Sequence, residues 1–167
     1  IEGRAETAAR LADYPDAKLR KTIDMRVGDL FDEIDKAVEA GETYDVIAVF
    51  GILYHLMDHL RLFISLRKLK PKLIVVDSEF VQRPGATIHL SRERTDKPLN
   101  ALPQIEGQHE AVKGVMSFRA LEVIAECLDF DLDWSDWDAL EDRTGVPDYF
   151  RTKGARRATC VMRPRGL

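Results

Sequence analysis

Tyr44-Asp45-Val46-Ile47-Ala48-Val49-Phe50-Gly51-Ile52-Leu53-Tyr54-His55-Leu56 is the stretch on which the reading of the fold turns. Val46 to Phe50 is an almost continuous apolar run, the pattern of a strand buried on both faces of a parallel sheet. Gly51 ends it. The apolar character stops at Leu56, before Asp58 and His59, well short of the roughly 18 residues a membrane-spanning helix needs. Outward toward the C-terminus, Leu60 to Leu69 has helical spacing with Arg61, Arg67 and Lys68 on its polar side, and Pro71 terminates it. Leu73 to Val76 then reads as another buried strand.

Outward toward the N-terminus, Leu30, Ile34 and Val38 fall at helical spacing, and Gly41 closes that helix. Before it, Ile23, Met25 and Val27 alternate with polar residues, so Thr22 to Val27 reads as a strand ending in a Gly28-Asp29 turn. Ala5 to Tyr14 reads as an amphipathic helix that stops near Pro15. Strands alternating with helices of this length predict right-handed crossovers. The fold class expected is α/β, a doubly wound, mainly parallel sheet with helices on both faces. Ligands of such sheets sit beyond the C-terminal ends of the strands, which directs attention to Asp29, Phe50 to His55 and Asp77 to Phe80.

Residues 81–115 break the pattern, with Pro84, Gly85, Pro98, Pro103 and Gly107 punctuating a polar stretch, and read as an irregular lid or substrate-binding insertion. Ser117 is the expected N-cap of a helix reaching about Leu128, with Phe118, Leu121, Ile124 and Ala125 inward. Asp131 to Trp137 and Ala158 to Met162 read as two closing strands, an antiparallel hairpin whose exit Pro164 blunts. All 167 residues are expected to form a single domain.

The composition is 45% hydrophobic and 32% charged, that of a soluble globular protein, and a net charge of −4 advertises no nucleic-acid surface. The basic residues crowding the C-terminus, Arg151 to Arg165, read as a solvated strand edge. Cys127 and Cys160 lie in apolar segments without metal-binding spacing, so no metal is expected. Buried free thiols in a reducing cytoplasm fit them best. Asp77 and Glu79 read as solvated rim charges, Trp134 and Trp137 as core packing, and Asp131 and Asp133 as part of a wet strand face. His89 and His109 fall in the irregular region.

The order strand, acidic turn, helix, apolar strand ending in Gly-Ile-Leu-Tyr-His, helix, Lys70-Pro71, strand and terminal hairpin resembles the class I S-adenosylmethionine-dependent methyltransferases, over most of the chain from Ile1 to Pro164. The segment Tyr44 to Leu56 with Leu69 to Ile74 looks like that family's fourth-to-fifth strand unit, and Ser117 to Phe130 with Asp148-Tyr149 and the strand at Ala158 is similar to its last helix and hairpin. The resemblance implies S-adenosylmethionine as cofactor. It implies that Glu2 accepts hydrogen bonds from the ribose hydroxyls, that Asp29 takes the adenine amino group beside Gly28 and the Leu30 amide, and that Phe50 and Gly51 line the methionine side. The family's first strand and glycine-rich loop do not occur in this sequence.

Ile1-Glu2-Gly3-Arg4 also spells a protease site used to remove expression tags, so Glu2 has both a native and a scar reading. Methyl transfer asks mainly for alignment and exclusion of water, and for an O or N acceptor a base helps. His55 is the expected base and Tyr54 the expected partner that positions the acceptor. A small-molecule or biosynthetic acceptor is expected, without a membrane, with nucleic acid a less favoured partner, and a homo-oligomer is compatible with the sequence. A tRNA-modifying transferase and a non-catalytic Rossmann-like partner subunit are the alternatives, the second explained directly by the missing glycine loop.

Overall fold

A computed structural model describes residues 1–97 and 99–166, so Pro98 lies outside the described residues. The chain divides into two compact units, Ile1–Glu42 and Thr43–Leu167.

In the first unit, α1 (Ala5–Ala9) runs into a 3-10 turn at Arg10–Asp13, and α2 (Ala17–Arg20) is a single turn that the sequence reading missed. Its signal was Asp16, whose side chain caps it by accepting from the Lys18 and Leu19 amides at 2.8 and 3.1 Å. α3 (Leu30–Glu39) forms as expected, burying Ile34 and Ala37, with Gly41 beyond its end at φ +70°. The expected strand at Thr22 to Val27 is corrected. The segment makes one parallel bridge, Val27 to Glu2, and Ile23, Met25 and Val27 stay 39 to 47% exposed. Alternation gave the segment the side-chain pattern of a strand, but a ladder needs a neighbour along its length, and within this unit only Glu2 supplies one.

The second unit is built on a four-stranded mixed sheet in the order β1 (Val46–Phe50), β2 (Leu73–Val81), β6 (Ala155–Pro164), β5 (Phe130–Trp134). β1 and β2 are parallel, joined through α4 (His59–Lys68), whose inner side buries Leu62, Phe63 and Leu66. β6 runs antiparallel to both β2 and β5, which is the expected closing hairpin. Between them, α5 (Phe118–Cys127) starts where Ser117 Oγ accepts from the Ala120 amide at 3.1 Å. β2 alternates: Ile74, Val76, Ser78 and Phe80 are buried on one face, while Asp77 and Glu79 stand on the other. Phe80, Phe118 and Trp134 cluster with ring centroids 4.9 to 5.2 Å apart, so Trp134 is core, as read.

Three expectations for this unit are revised. β1 is not buried on both faces: Val46, Ala48 and Phe50 on one face are exposed, Val46 and Phe50 at 56% and 63%, while Val49 on the other is buried. Residues 81–115 are not irregular throughout. β3 (Ile88–Arg94) and β4 (Glu110–Met116) pair antiparallel over seven residues each, a separate two-stranded ribbon closed by a long loop. Cys127 is exposed; only Cys160 is buried, and burial pushes its thiol up to about 12. Among the described residues no helix is long and apolar enough to cross a membrane.

Candidate functional site

β1 ends where a doubly wound sheet places its chemistry. Gly51 takes φ +67°, a conformation that a Cβ would strain, and its amide still bonds to the Asp77 carbonyl at 2.9 Å. The chain thereby turns off the strand into a 3-10 turn, Leu53–His55, anchored by Leu53 at 1% exposure. That turn presents Tyr54 and His55 side by side, ring centroids 4.1 Å apart.

The ribbon supplies the partners of these two rings. Glu93 of β3 brings Oε1 to 2.5 Å from His55 Nδ1, and both side chains are largely buried, 8% and 11% exposed. The Ala101 amide donates to the same oxygen at 3.1 Å. Lys113 of β4 lies 3.9 Å from Glu93 Oε2, with its ammonium 5.3 Å from the centre of the Tyr54 ring. Burial raises the Tyr54 phenol, with the negative charge of Glu79 adding to it. The register that pairs Glu93 with Ala111 and Ser91 with Lys113 puts Glu93 and Lys113 on one face of the ribbon.

The ribbon is seated by a close backbone approach. A Cβ on Gly114 would lie 3.0 Å from the Leu56 carbonyl and 3.1 Å from the His59 ring, so any other residue would push these neighbours back by a few tenths of an ångström. His59, 2% exposed, points Nε2 at the Leu53 and Gly114 carbonyls at 3.1 and 3.0 Å; two acceptors there mean that Nε2 carries the proton. Its Nδ1 is buried and has no hydrogen-bond partner among the described residues. Burial lowers the His59 imidazole, against the raising effect of the two carbonyls. The neutral ring is therefore the folded form, and stability is full above the ordinary value of about 6.5 and is lost as pH falls below it. The urea midpoint should drop between about pH 7 and pH 5.5, and His59→Gln, which cannot titrate, should flatten that decline. An equally steep decline in the variant would assign it to another group.

A second cluster gathers on Asp77, which the sequence reading took for a solvated rim charge. Its carboxylate, 15% exposed, accepts from Tyr149 OH and Thr159 Oγ1 at 2.6 Å each and from Arg157 Nε at 3.0 Å. Trp137 donates to Thr159 Oγ1 at 3.1 Å and stacks on Tyr149 at 3.9 Å, so it closes this cluster. Strand register explains it: Asp77 faces Phe50 on one side and Thr159 on the other. Glu79 lies 3.7 Å from Arg151.

In the first unit the Glu2–Val27 bridge is closed by Glu2 N–H to the Arg26 carbonyl at 2.9 Å and Gly28 N–H to the Glu2 carbonyl at 3.1 Å. Glu2, Gly28, Asp29 and Leu30 are thus brought to adjoining chain ends. Asp29 Oδ1 caps α3, accepting from the Phe31 and Asp32 amides at 2.8 and 3.2 Å, and Glu2 Oε1 accepts from the Arg4 amide at 2.9 Å. Phe50 and Gly51 belong to the other unit. Among the described residues no group of His, Cys, Asp and Glu could hold a metal ion.

This fold has solved counterparts. The N-terminal domain of EvdMO1, in crystals described as in the presence of SAH and D-fucose, superposes with a TM-score of 0.66 over 98% of this chain and 64% of that one, at 16% identity. The same domain with SAH bound gives 0.66, 98%, 63% and 16%. At that identity the likeness concerns the fold, and this chain spans less than two thirds of its counterpart's length. No protein-family model and no curated protein matches the sequence.

His89 and His109, expected in an irregular lid, lie on and beside the ribbon strands, His89 opposite Val115. Glu93 and Lys113 were missed altogether. The only sequence signal for Glu93 was its place in the alternating Arg92-Glu93-Arg94, which has no meaning until the strand register is known.

Proposed function

We propose that this chain carries out S-adenosylmethionine-dependent methyl transfer to an oxygen or nitrogen of a small-molecule acceptor. One observation supports the reading: the Glu2–Val27 bridge, with the Gly28 amide on the Glu2 carbonyl, sets Glu2 beside the turn that leads into Asp29 and Leu30, within a fold whose solved counterpart holds SAH. Paired acidic ends of adjacent extended segments suit the vicinal hydroxyls of a ribose and the amino edge of an adenine. Phe50 and Gly51 would line the methionine side, where glycine lets the backbone come close. When bound, the cofactor supplies a methyl group on a positively charged sulfur.

The chain's own residues then align and deprotonate. Tyr54 and His55 share the turn after β1; the imidazole takes the acceptor's proton and the phenol, kept neutral by its raised value, positions the acceptor by hydrogen bonding. The β3–β4 ribbon serves as the acceptor-side cover. The crystals of the counterpart domain in the presence of D-fucose support a hydroxyl-bearing acceptor. The unpaired thiols Cys127 and Cys160 fit a reducing compartment such as the cytoplasm.

The test is a calorimetric titration of S-adenosylhomocysteine into the full-length protein. Binding is expected, weakened by about 1 to 3 kcal/mol in Glu2→Ala, the range for hydrogen bonds to a charged partner. An absence of binding would overturn the reading in favour of a non-catalytic partner subunit, and an unchanged affinity in the variant would remove Glu2 from the site.

A further inference from the structure

The carboxylate that meets His55 comes from 38 positions further along the chain, on a different sheet from the strand that delivers the imidazole. An exposed pair of this kind would be solvated and mobile. Here Glu93 is held three ways: by burial to 8% exposure, by the Ala101 amide on Oε1 at 3.1 Å, and by Lys113 balancing its charge 3.9 Å from Oε2. The ribbon carrying it is itself fixed, since Gly114 abuts the Leu56 carbonyl and its own carbonyl accepts a hydrogen bond from His59 Nε2–H. A carboxylate set on a rigid element against one nitrogen of an imidazole fixes the ring's orientation and its tautomer.

Resting on the methyl-transfer reading above, we propose that Glu93 is a positioning residue: it holds the proton of His55 on Nδ1, leaves the lone pair on Nε2 to deprotonate the acceptor, and thereby selects acceptors that keep their proton at neutral pH, alcohols above all. An ionised carboxylate only accepts hydrogen bonds, so its nitrogen partner must be the donor. The acceptor's O–H proton passes to Nε2 while the electron pair left on oxygen forms the bond to the methyl carbon. The sulfonium of S-adenosylmethionine departs as a neutral thioether with the former carbon–sulfur pair. The imidazolium so formed faces the Glu93 carboxylate, which offsets its charge as the buried acid does in a catalytic triad. A thiolate or carboxylate acceptor, already ionised, would have no use for this arrangement.

The experiment is 15N NMR of histidine-labelled full-length protein, with His55→Asn to assign the signal, alongside calorimetry with S-adenosylhomocysteine on the same samples. In the parent the bare-nitrogen resonance should belong to Nε2. Glu93→Leu should shift the ring toward the Nε2–H form and lower turnover by about tenfold or more. Glu93→Gln, which keeps the volume and an accepting oxygen, should retain the Nδ1–H form yet still lose turnover, because a neutral amide does not offset the imidazolium. A bare Nδ1 in the parent, or a tautomer unchanged in Glu93→Leu, overturns the proposal. So does full turnover in Glu93→Gln. S-adenosylhomocysteine affinity should be the same in the parent and both variants. A parent that does not bind it sinks the methyl-transfer reading, while the tautomer measurement still reports on Glu93 independently.

Discussion

His55→Ala is expected to lower turnover by about 10²-fold or more, with S-adenosylhomocysteine affinity unchanged, because a positioned general base contributes on that scale only in the transition state. The measurement is S-adenosylhomocysteine formed on an acceptor that the parent methylates. The imidazole sits on a short turn with its Nδ1 engaged by Glu93, so truncation removes the proton acceptor without touching β1 or the Gly51 turn. Tyr54→Phe on the same turn keeps the ring and loses the hydroxyl, and should raise KM more than it lowers kcat if the phenol positions the acceptor. A His55→Ala variant within a few-fold of the parent would assign the proton transfer elsewhere, and the 2.5 Å contact with Glu93 would then be a tie between the β1 turn and the ribbon.

Asp77→Ala is expected to cost about 3 kcal/mol of folding stability, read as a fall in the urea midpoint, since it strands three donors at once. Tyr149 OH, Thr159 Oγ1 and Arg157 Nε all converge on this carboxylate. Tyr149→Phe removes one of the three and should cost about 1 kcal/mol. The tyrosine also gives the cluster a pH signature. Burial first, then the Asp77 hydrogen bond, push its phenol up to about 12. The folded state therefore holds this proton longer than the unfolded chain, so the contribution is complete below about pH 10 and is lost as pH rises toward 12. Alkaline denaturation of the parent should show that loss, and Tyr149→Phe should shift it. A midpoint unmoved by Asp77→Ala would mean that solvent replaces the three bonds without cost.

The local elements were legible because their determinants are local. α3, α4 and α5 follow from apolar residues three and four apart and from signals at their ends: the Gly28-Asp29 turn before α3 and Gly41 after it, Pro71 after α4, and Ser117 as the cap of α5. Val46 to Phe50 and the run from Leu73 declared themselves as strands by composition. Their pairing partners did not. Thr22 to Val27 has as good an alternation as Ile88 to Arg94, yet the first makes one bridge and the second a seven-residue ladder. The difference lies in whether another segment arrives alongside, which no window of sequence contains.

The candidate site divides the same way. Position after β1 was enough to single out Tyr54, His55 and Gly51, because a buried strand followed by glycine marks the rim of such a sheet. Position gave Asp77 too, but with the wrong character: it was read as a solvated charge, and β6 turned it into the acceptor at the centre of a cluster. Glu93 and Lys113 look in the sequence like any charges in a polar segment. What made them partners of His55 and Tyr54 is the ribbon register and the Gly114 contact that seats it. By itself, the sequence determined the helices α3, α4 and α5, the strands β1, β2 and the closing hairpin, and the α/β class. Only the tertiary structure decided which charges meet, because hydrogen bonds and ion pairs act over a few ångströms between groups that the chain separates by tens of residues.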